Sequence, residues 1–279
     1  MKIGLTRAGL GDIGTDEKFI ESAGAYGFRT VDLYGFGILE RHGADGARAL
    51  LAKHGVELSA VGLPVEWRTT DEAFLADLPK LHETARNALA LGCTACCTYI
   101  LPSTDLPAAR FMAQAVRRLR LCAQVLGAYG IRFGLEYVGP HHLRTRWANP
   151  YIWTQQETLE LIDAIGEPNV GLMLDSYHWY TNEMSADDIA RLKPHQIVHV
   201  HLNDARDVPV AEALDNDRLL PGEGVIDLGA FLRAVASTGY TGAVTQEVLT
   251  QTPPTDSAES LLERSKAGFA KALAAAGLR

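Results

Sequence analysis

The stretch Val170-Gly171-Leu172-Met173-Leu174-Asp175-Ser176-Tyr177-His178 decides the fold. It opens as an apolar run far too short to cross a membrane, and it ends on a carboxylate and an imidazole. A segment of helical period, Thr154–Ile165, precedes it and another, Ser185–Leu192, follows, so the run reads as a strand between two helices. The same alternation repeats along the chain. Candidate strands are Lys2–Thr6, Thr30–Tyr34, Glu57–Val61, Thr94–Ile100, Arg132–Tyr137, Val170–Asp175, Ile197–Asn203 and Ala243–Leu249. Helix candidates lie between them with readable ends. Thr15-Asp16-Glu17 starts the first, which stops near Gly27. Gly46–His54 stops at Gly55, Thr70–Leu91 at Gly92, and Pro107–Tyr129 at Gly130. Leu228–Ser237 and Ser257–Ala275 complete the series. Strand–helix alternation implies parallel strands with right-handed crossovers. Eight such units in 279 residues predict an α/β fold, a single-domain (β/α)8 TIM barrel over residues 1–279. An open doubly wound sheet is the second reading, but eight units without a second domain would be unusual for it.

Composition narrows the partners. Hydrophobic residues make up 47% and charged residues 22%, which excludes a disordered or fibrous chain. Lys and Arg number 26 against 34 Asp and Glu, a net charge of −8 that argues against a nucleic-acid partner. No apolar run reaches the length of a membrane span, and Met1–Arg7 lacks the core of a signal peptide. The four cysteines, Cys93, Cys96, Cys97 and Cys122, form no disulfide framework and read as small apolar filling. These features predict a cytoplasmic protein with no membrane partner, and they leave a homo-oligomer open.

Gly9-Leu10-Gly11-Asp12-Ile13-Gly14 is literally a G-x-G-x-x-G run after a strand. A nucleotide-binding version would start its helix within the glycines, so that the N-terminus meets the pyrophosphate. Here the capping residue Thr15 comes after the last glycine, and the run is expected to be a plain loop.

A barrel places functional side chains at the C-terminal ends of its strands. Metal-capable residues stand there on the last four: Glu136, Asp175, His201 and Glu247. One buried carboxylate in an apolar strand is normally a satisfied core group. Four such residues on consecutive strand ends share one mouth, where three carboxylates would repel without a cation. The oxygen-rich set with one nitrogen suits Mn2+, Mg2+ or Co2+, with Zn2+ also compatible. His199 lies on the same face one layer deeper, expected as a hydrogen-bonded support and not a ligand. Tyr34, Trp67 and Trp179, at predicted loop ends, are candidates to wall the pocket or simply to pack. His141-His142 with Arg144 and Arg146 form either a mouth segment or an ordinary loop.

With these residues in view, the chain resembles the xylose isomerase-like barrel superfamily of sugar isomerases and epimerases. The resemblance rests on Gly134-Leu135-Glu136, Leu174–His178, His199-Val200-His201-Leu202-Asn203-Asp204, and Leu220-Pro221-Gly222-Glu223-Gly224-Val225-Ile226-Asp227 before Gln246-Glu247-Val248. The segment His201–Asp227 is most similar to the inosose isomerase branch. The resemblance implies one divalent metal ion held by Glu136, Asp175, His201 and Glu247, with Glu136 and Glu247 also carrying protons. It implies substrate contacts from His178 and Arg206. The implied reaction moves a proton beside the carbonyl of a keto-sugar or inosose through a metal-stabilised enediolate. Alternatives are a lyase that eliminates from the same enolate and, third, a DNA-repair endonuclease of the same barrel, which the acidic charge disfavours.

Overall fold

All eight apolar runs become strands of one closed barrel. The computed structural model describes residues 1–278. In chain order the strands are β1 (Lys2–Leu5), β2 (Thr30–Leu33), β3 (Glu57–Gly62), β4 (Ala95–Ile100), β5 (Arg132–Tyr137), β6 (Val170–Asp175), β7 (Ile197–Leu202) and β8 (Ala243–Gln246). All pairs are parallel, and β8 closes back on β1 with Lys2 opposite Ala243 and Leu5 opposite Gln246. The outer layer is α1 (Asp16–Ala25), α2 (Gly37–His54), α3 (Asp71–Ala90), α4 (Ala108–Ala128), α5 (Gln155–Ile165), α6 (Ala186–Ala190), α7 (Leu228–Ser237) and α8 (Ala258–Ala276).

The helix boundaries follow from capping chemistry. The side chains of Thr15, Thr70, Thr154 and Ser257 accept the N–H groups of Lys18, Ala73, Glu157 and Ser260, each cap worth about 1 kcal/mol. Thr15 caps α1 only after Gly14, so the Gly9–Gly14 run is the loop its cap position predicts. Helix α4 buries Phe111, Ala115, Leu119, Cys122 and Leu126 at helical spacing, which turns this face inward. Helix α2 is longer than the sequence suggested. It begins at Gly37 instead of Gly46 and is interrupted at Gly43, whose φ of 66° breaks the helical period used to find it. A short helix, Ser176–Thr181, also follows β6 directly, with Asp175 as its cap.

Two register shifts interrupt the barrel's ladders. Val31 pairs with Leu58 but Asp32 with Ala60, so Ser59 is an extra residue in β3. Leu172 pairs with Ile197 but Met173 with His199, so Val198 is extra in β7. Above the mouth, Asp204–Ala205 and Arg218–Leu219 form a two-stranded antiparallel ladder. Asp204 anchors the loop beyond it by accepting the N–H groups of Gly222, Gly224 and Ile226 at 2.9–3.0 Å. Only glycine fits at 224, because a Cβ there would lie 2.1 Å from the Ala205 carbonyl oxygen. All four cysteines are free; three are buried and Cys97 is partly so.

Candidate active site

The C-terminal ends of β5, β6 and β7 and the residue after β8 converge on one cluster. Glu136, Asp175, His201 and Glu247 each offer a donor atom, and these atoms all lie within 4.8 Å of one another. Asp175 is held hardest. Its Oδ1 accepts the N–H of Tyr177 at 2.6 Å, and the Asn203 side-chain amide spans Oδ1 and Oδ2 at 3.2 and 3.0 Å. The same amide donates to the Glu247 carbonyl, tying β6, β7 and β8 together.

His201 turns Nδ1 toward the cluster, 3.4 Å from Glu247 Oε2 and 3.9 Å from Asp175 Oδ2. Its Nε2 donates to Asp32 Oδ2 at 3.2 Å, so in the neutral imidazole the Nδ1 lone pair is free for a cation. Glu136 Oε1 and His201 Nδ1 are both buried without a hydrogen-bond partner among the described residues. Orphaned donor atoms of this kind, with three carboxylates and one imidazole, fit a divalent cation. Among the described residues Asp32, His199 and His201 form a second close group. It is a hydrogen-bond network and not a metal set. Asp32 Oδ2 accepts from His199 Nε2 at 2.9 Å, Thr245 Oγ1 at 2.8 Å and His201 Nε2, and Oδ1 accepts from Ser59 at 2.7 Å. His199 is thus the buried support expected of it, and Asp32 is the acceptor on which that layer converges.

The electrostatics separate the two glutamates. Burial, with Asp175 and Glu247 nearby, pushes the Glu136 carboxyl well above the usual range. Burial also opposes the charge on Glu247, but His201 and Arg218 outweigh it and hold that carboxyl well below. Burial opposes the charge on His201 too, and there Glu247 and Asp32 win, raising it. His178 is driven down by burial. Its Nδ1 accepts the Gly139 N–H at 3.4 Å, so its proton sits on Nε2, 3.9 Å from Glu136 Oε1.

Arg206 is not brought to this cluster. It lies beyond the Asp204–Ala205 ladder, its side chain is 53% exposed, and it pairs with Asp217 at 2.9 Å. Arg218, inside the ladder opposite Ala205, is the arginine at the cluster instead. Its Nη1 donates to Asp175 Oδ2 at 3.1 Å and Glu247 Oε2 at 3.0 Å, and its Nη2 to Asp215 at 2.8 Å. Trp67 and Trp179 pack rather than wall the mouth: Trp67 stacks on Phe111 and Trp179 packs against Phe231. Tyr34 does face the mouth, 67% exposed, and its hydroxyl donates to Glu247 Oε1 at 3.2 Å. Arg144 is tied to the carbonyls of Gly139 and Thr181 as loop structure.

A cavity of about 460 Å3 opens above the cluster, lined among others by Glu136, His201, Glu247, Tyr34, Arg68 and Tyr99. Sequence reasoning missed Asp32 and Arg218. The first carried a usable signal, a carboxylate inside an apolar strand. The second sits in a loop and carried none.

A family model described as xylose isomerase-like TIM barrel matches residues 20–268. Inosose isomerase from Halalkalibacterium halodurans is 28% identical over 144 residues, 52% of this chain and 49% of that protein. D-psicose 3-epimerase from Enterocloster bolteae is 26% identical over 48% of this chain and 39% of its own length. 3-Dehydroshikimate dehydratase from Pseudomonas aeruginosa is 30% identical over 47% and 20%. The alignments thus span about half or less of these curated relatives. The structure of a xylose isomerase domain protein from Alicyclobacillus acidocaldarius superposes with a TM-score of 0.90 at 37% identity, covering 99% of both chains. The zinc-bound IOLI protein superposes at 0.81 with 20% identity over 98% of both, which speaks to the fold.

Proposed function

The chain belongs to the xylose isomerase-like TIM barrel family, and on that premise we propose that it is a divalent-metal-dependent isomerase or epimerase of a keto-sugar or inosose. The observation that carries this reading is the cluster at the mouth. Two buried donor atoms there, Glu136 Oε1 and His201 Nδ1, have no partner among the described residues, and two further carboxylates face them. The relatives named for isomerase and epimerase activity supply the reaction class.

A divalent cation held by Glu136, Asp175, His201 and Glu247, Mn2+ by our assignment with Mg2+, Co2+ and Zn2+ fitting the same donors, would polarise the substrate carbonyl. The remaining work belongs to the side chains. Glu247 is kept ionised by the Arg218 guanidinium beside its Oε2, and among the described residues its Oε1 is held only by the Tyr34 hydroxyl. Oε1 takes the proton from the carbon beside the carbonyl. Glu136 returns a proton, to the opposite face of the same carbon in an epimerase or to the neighbouring carbon in an isomerase, where the hydroxyl proton also passes from one substrate oxygen to the other. His178 presents Nε2–H to a substrate oxygen, and Arg218 fixes the Asp175 and Glu247 carboxylates so that neither swings toward the other.

The test is incubation of the Mn2+-loaded protein with inososes and ketohexoses in D2O. Deuterium beside the carbonyl is expected, and Glu247→Gln should lower its rate by about 10²- to 10⁴-fold. Undiminished exchange in Glu247→Gln would remove the assignment. The dehydratase among the relatives supports a second reading, elimination from the same enolate. Loss of water from the substrate, in place of exchange, would select it.

A further inference from the structure

We propose that Arg68 makes the mouth cavity a site for an acidic sugar, a keto-sugar carrying a carboxylate or phosphate away from its carbonyl. This inference rests on the enolising role assigned above and narrows its substrate class.

Arg68 lines the same cavity as Glu136, His201 and Glu247. Its guanidinium lies 4.0 Å from the ring centre of Tyr99 and 4.8 Å from that of Trp67. Two neutral acceptors hold Nη2, Thr98 Oγ1 at 3.3 Å and the Tyr99 carbonyl at 3.1 Å. Nε is buried with no partner among the described residues. The nearest carboxylate, Glu66, is 3.7 Å from Nη1, too far for a hydrogen bond, and its Oε1 instead accepts the Arg68 backbone N–H at 2.7 Å. Asp77 also lines the cavity, but it is bound to Lys80 and to the Glu66 N–H.

The two buried arginines are held differently. Arg218 answers three carboxylates, and Arg118, whose Nε is also unpartnered among the described residues, has two carbonyls and a 2.6 Å pair with Asp71. Arg68 is largely withdrawn from water, its side chain 17% exposed, and its carboxylate neighbour Glu66 stands 3.7 Å away in a long ion pair and is itself 39% exposed. A desolvated cation in that state binds an oxyanion more strongly than a hydroxyl, because a charge-assisted contact replaces what burial removed. Space is available too. The cavity adjoins a cleft of about 740 Å3, and Glu66, Arg68 and Tyr99 line both. An acidic end group beside Arg68 therefore reaches toward water while the reacting carbons stay at the cluster.

The probes are polyols without a ketone, so binding is read apart from turnover: D-glucitol, D-glucitol 6-phosphate and D-gluconate, titrated calorimetrically into the Mn2+-loaded protein. At least one acidic polyol should bind about 10- to 100-fold tighter than D-glucitol. The tighter of the two identifies phosphate or carboxylate. Arg68→Met should reduce that preference to within about twofold, and Arg68→Lys should retain part of it, since Lys keeps the charge but not the planar fork. An anion held at the metal instead would keep its preference in Arg68→Met, and that result overturns the inference, as does equal binding of all three polyols by the unmodified protein. An intact Arg68-dependent preference with no deuterium exchange into any ketose would remove the enolisation reading and leave this one. Exchange without that preference would do the reverse.

Discussion

Asp32→Asn tests how the barrel prepares His201. Asp32 accepts four hydrogen bonds, from His199, His201 and Thr245 at Oδ2 and from Ser59 at Oδ1. An asparagine can place its carbonyl oxygen where Oδ2 stood and keep the first three. Its amide then faces Ser59, whose hydroxyl can turn to accept while also donating to the Val31 carbonyl it already touches at 3.1 Å. Shape and hydrogen bonds survive, and the negative charge behind the imidazole is removed. Loss of a carboxylate that supports a ligating histidine typically weakens metal binding about 10- to 100-fold, equivalent to roughly 1.4–2.8 kcal/mol. Asp32→Leu would be a poor substitute. It removes the acceptor of the buried donors on His199, His201 and Thr245, at about 1–3 kcal/mol for each left unpaired, and the barrel itself would be at risk. The assay is calorimetric titration of metal-free protein with Mn2+, with thermal melts of both metal-free forms as the fold control. Matching melts with an affinity within twofold of the original protein would refute the argument that the Asp32 charge, acting through His201, helps hold the cation.

Gly268→Ala places a Cβ 1.8 Å from the Pro221 carbonyl oxygen, so α8 must move off the Pro221–Gly222 loop. Urea unfolding should show a loss of about 1–3 kcal/mol, and an unchanged midpoint would count against that packing. Burial pushes the thiols of Cys93 and Cys122 up to about 12 and those of Cys96 and Cys97 well above the usual thiol range. The native protein should therefore release almost no thionitrobenzoate from Ellman's reagent near neutral pH, against four equivalents once unfolded; rapid native reaction would refute the filling role. Glu17 is held well below its ordinary 4.5 by Arg41, with His42 adding to the effect. A depressed carboxylate stabilises fully above its unfolded value and loses that contribution as pH falls through its folded one. The melting-temperature gap between the original protein and Glu17→Gln should accordingly be largest near neutral pH and shrink in acid, and a gap that widens in acid would reverse the sign.

Much of this protein is legible in the chain because the relevant signals are local. The strand Val170–Asp175 and the helix Leu228–Ser237 have the bounds their apolar pattern indicated. Eight strand–helix units leave few topologies besides a closed barrel, and closure alone sends Glu136, Asp175, His201 and Glu247 to one mouth. Residue type and place along a strand sufficed there, since every strand of a parallel barrel ends on the same face.

What the tertiary structure decided is the partner of each charge. Asp32 and His199 stand 167 positions apart and meet through closure of the barrel, with Asp32 just past the β3 shift at Ser59 and His199 just past the β7 shift at Val198. Arg206 and Arg218 look equivalent as loop arginines, yet the Asp204–Ala205 ladder carries Arg218 onto the cluster and leaves Arg206 in solvent. Arg68 follows a strand like many other residues, and only the packed rings of Trp67 and Tyr99 show its guanidinium to be largely covered, with Glu66 no nearer than 3.7 Å. Periodicity records which face a residue takes, because that depends on neighbours in the chain. The energy of a buried charge depends on neighbours in space, which the chain specifies only once it has folded.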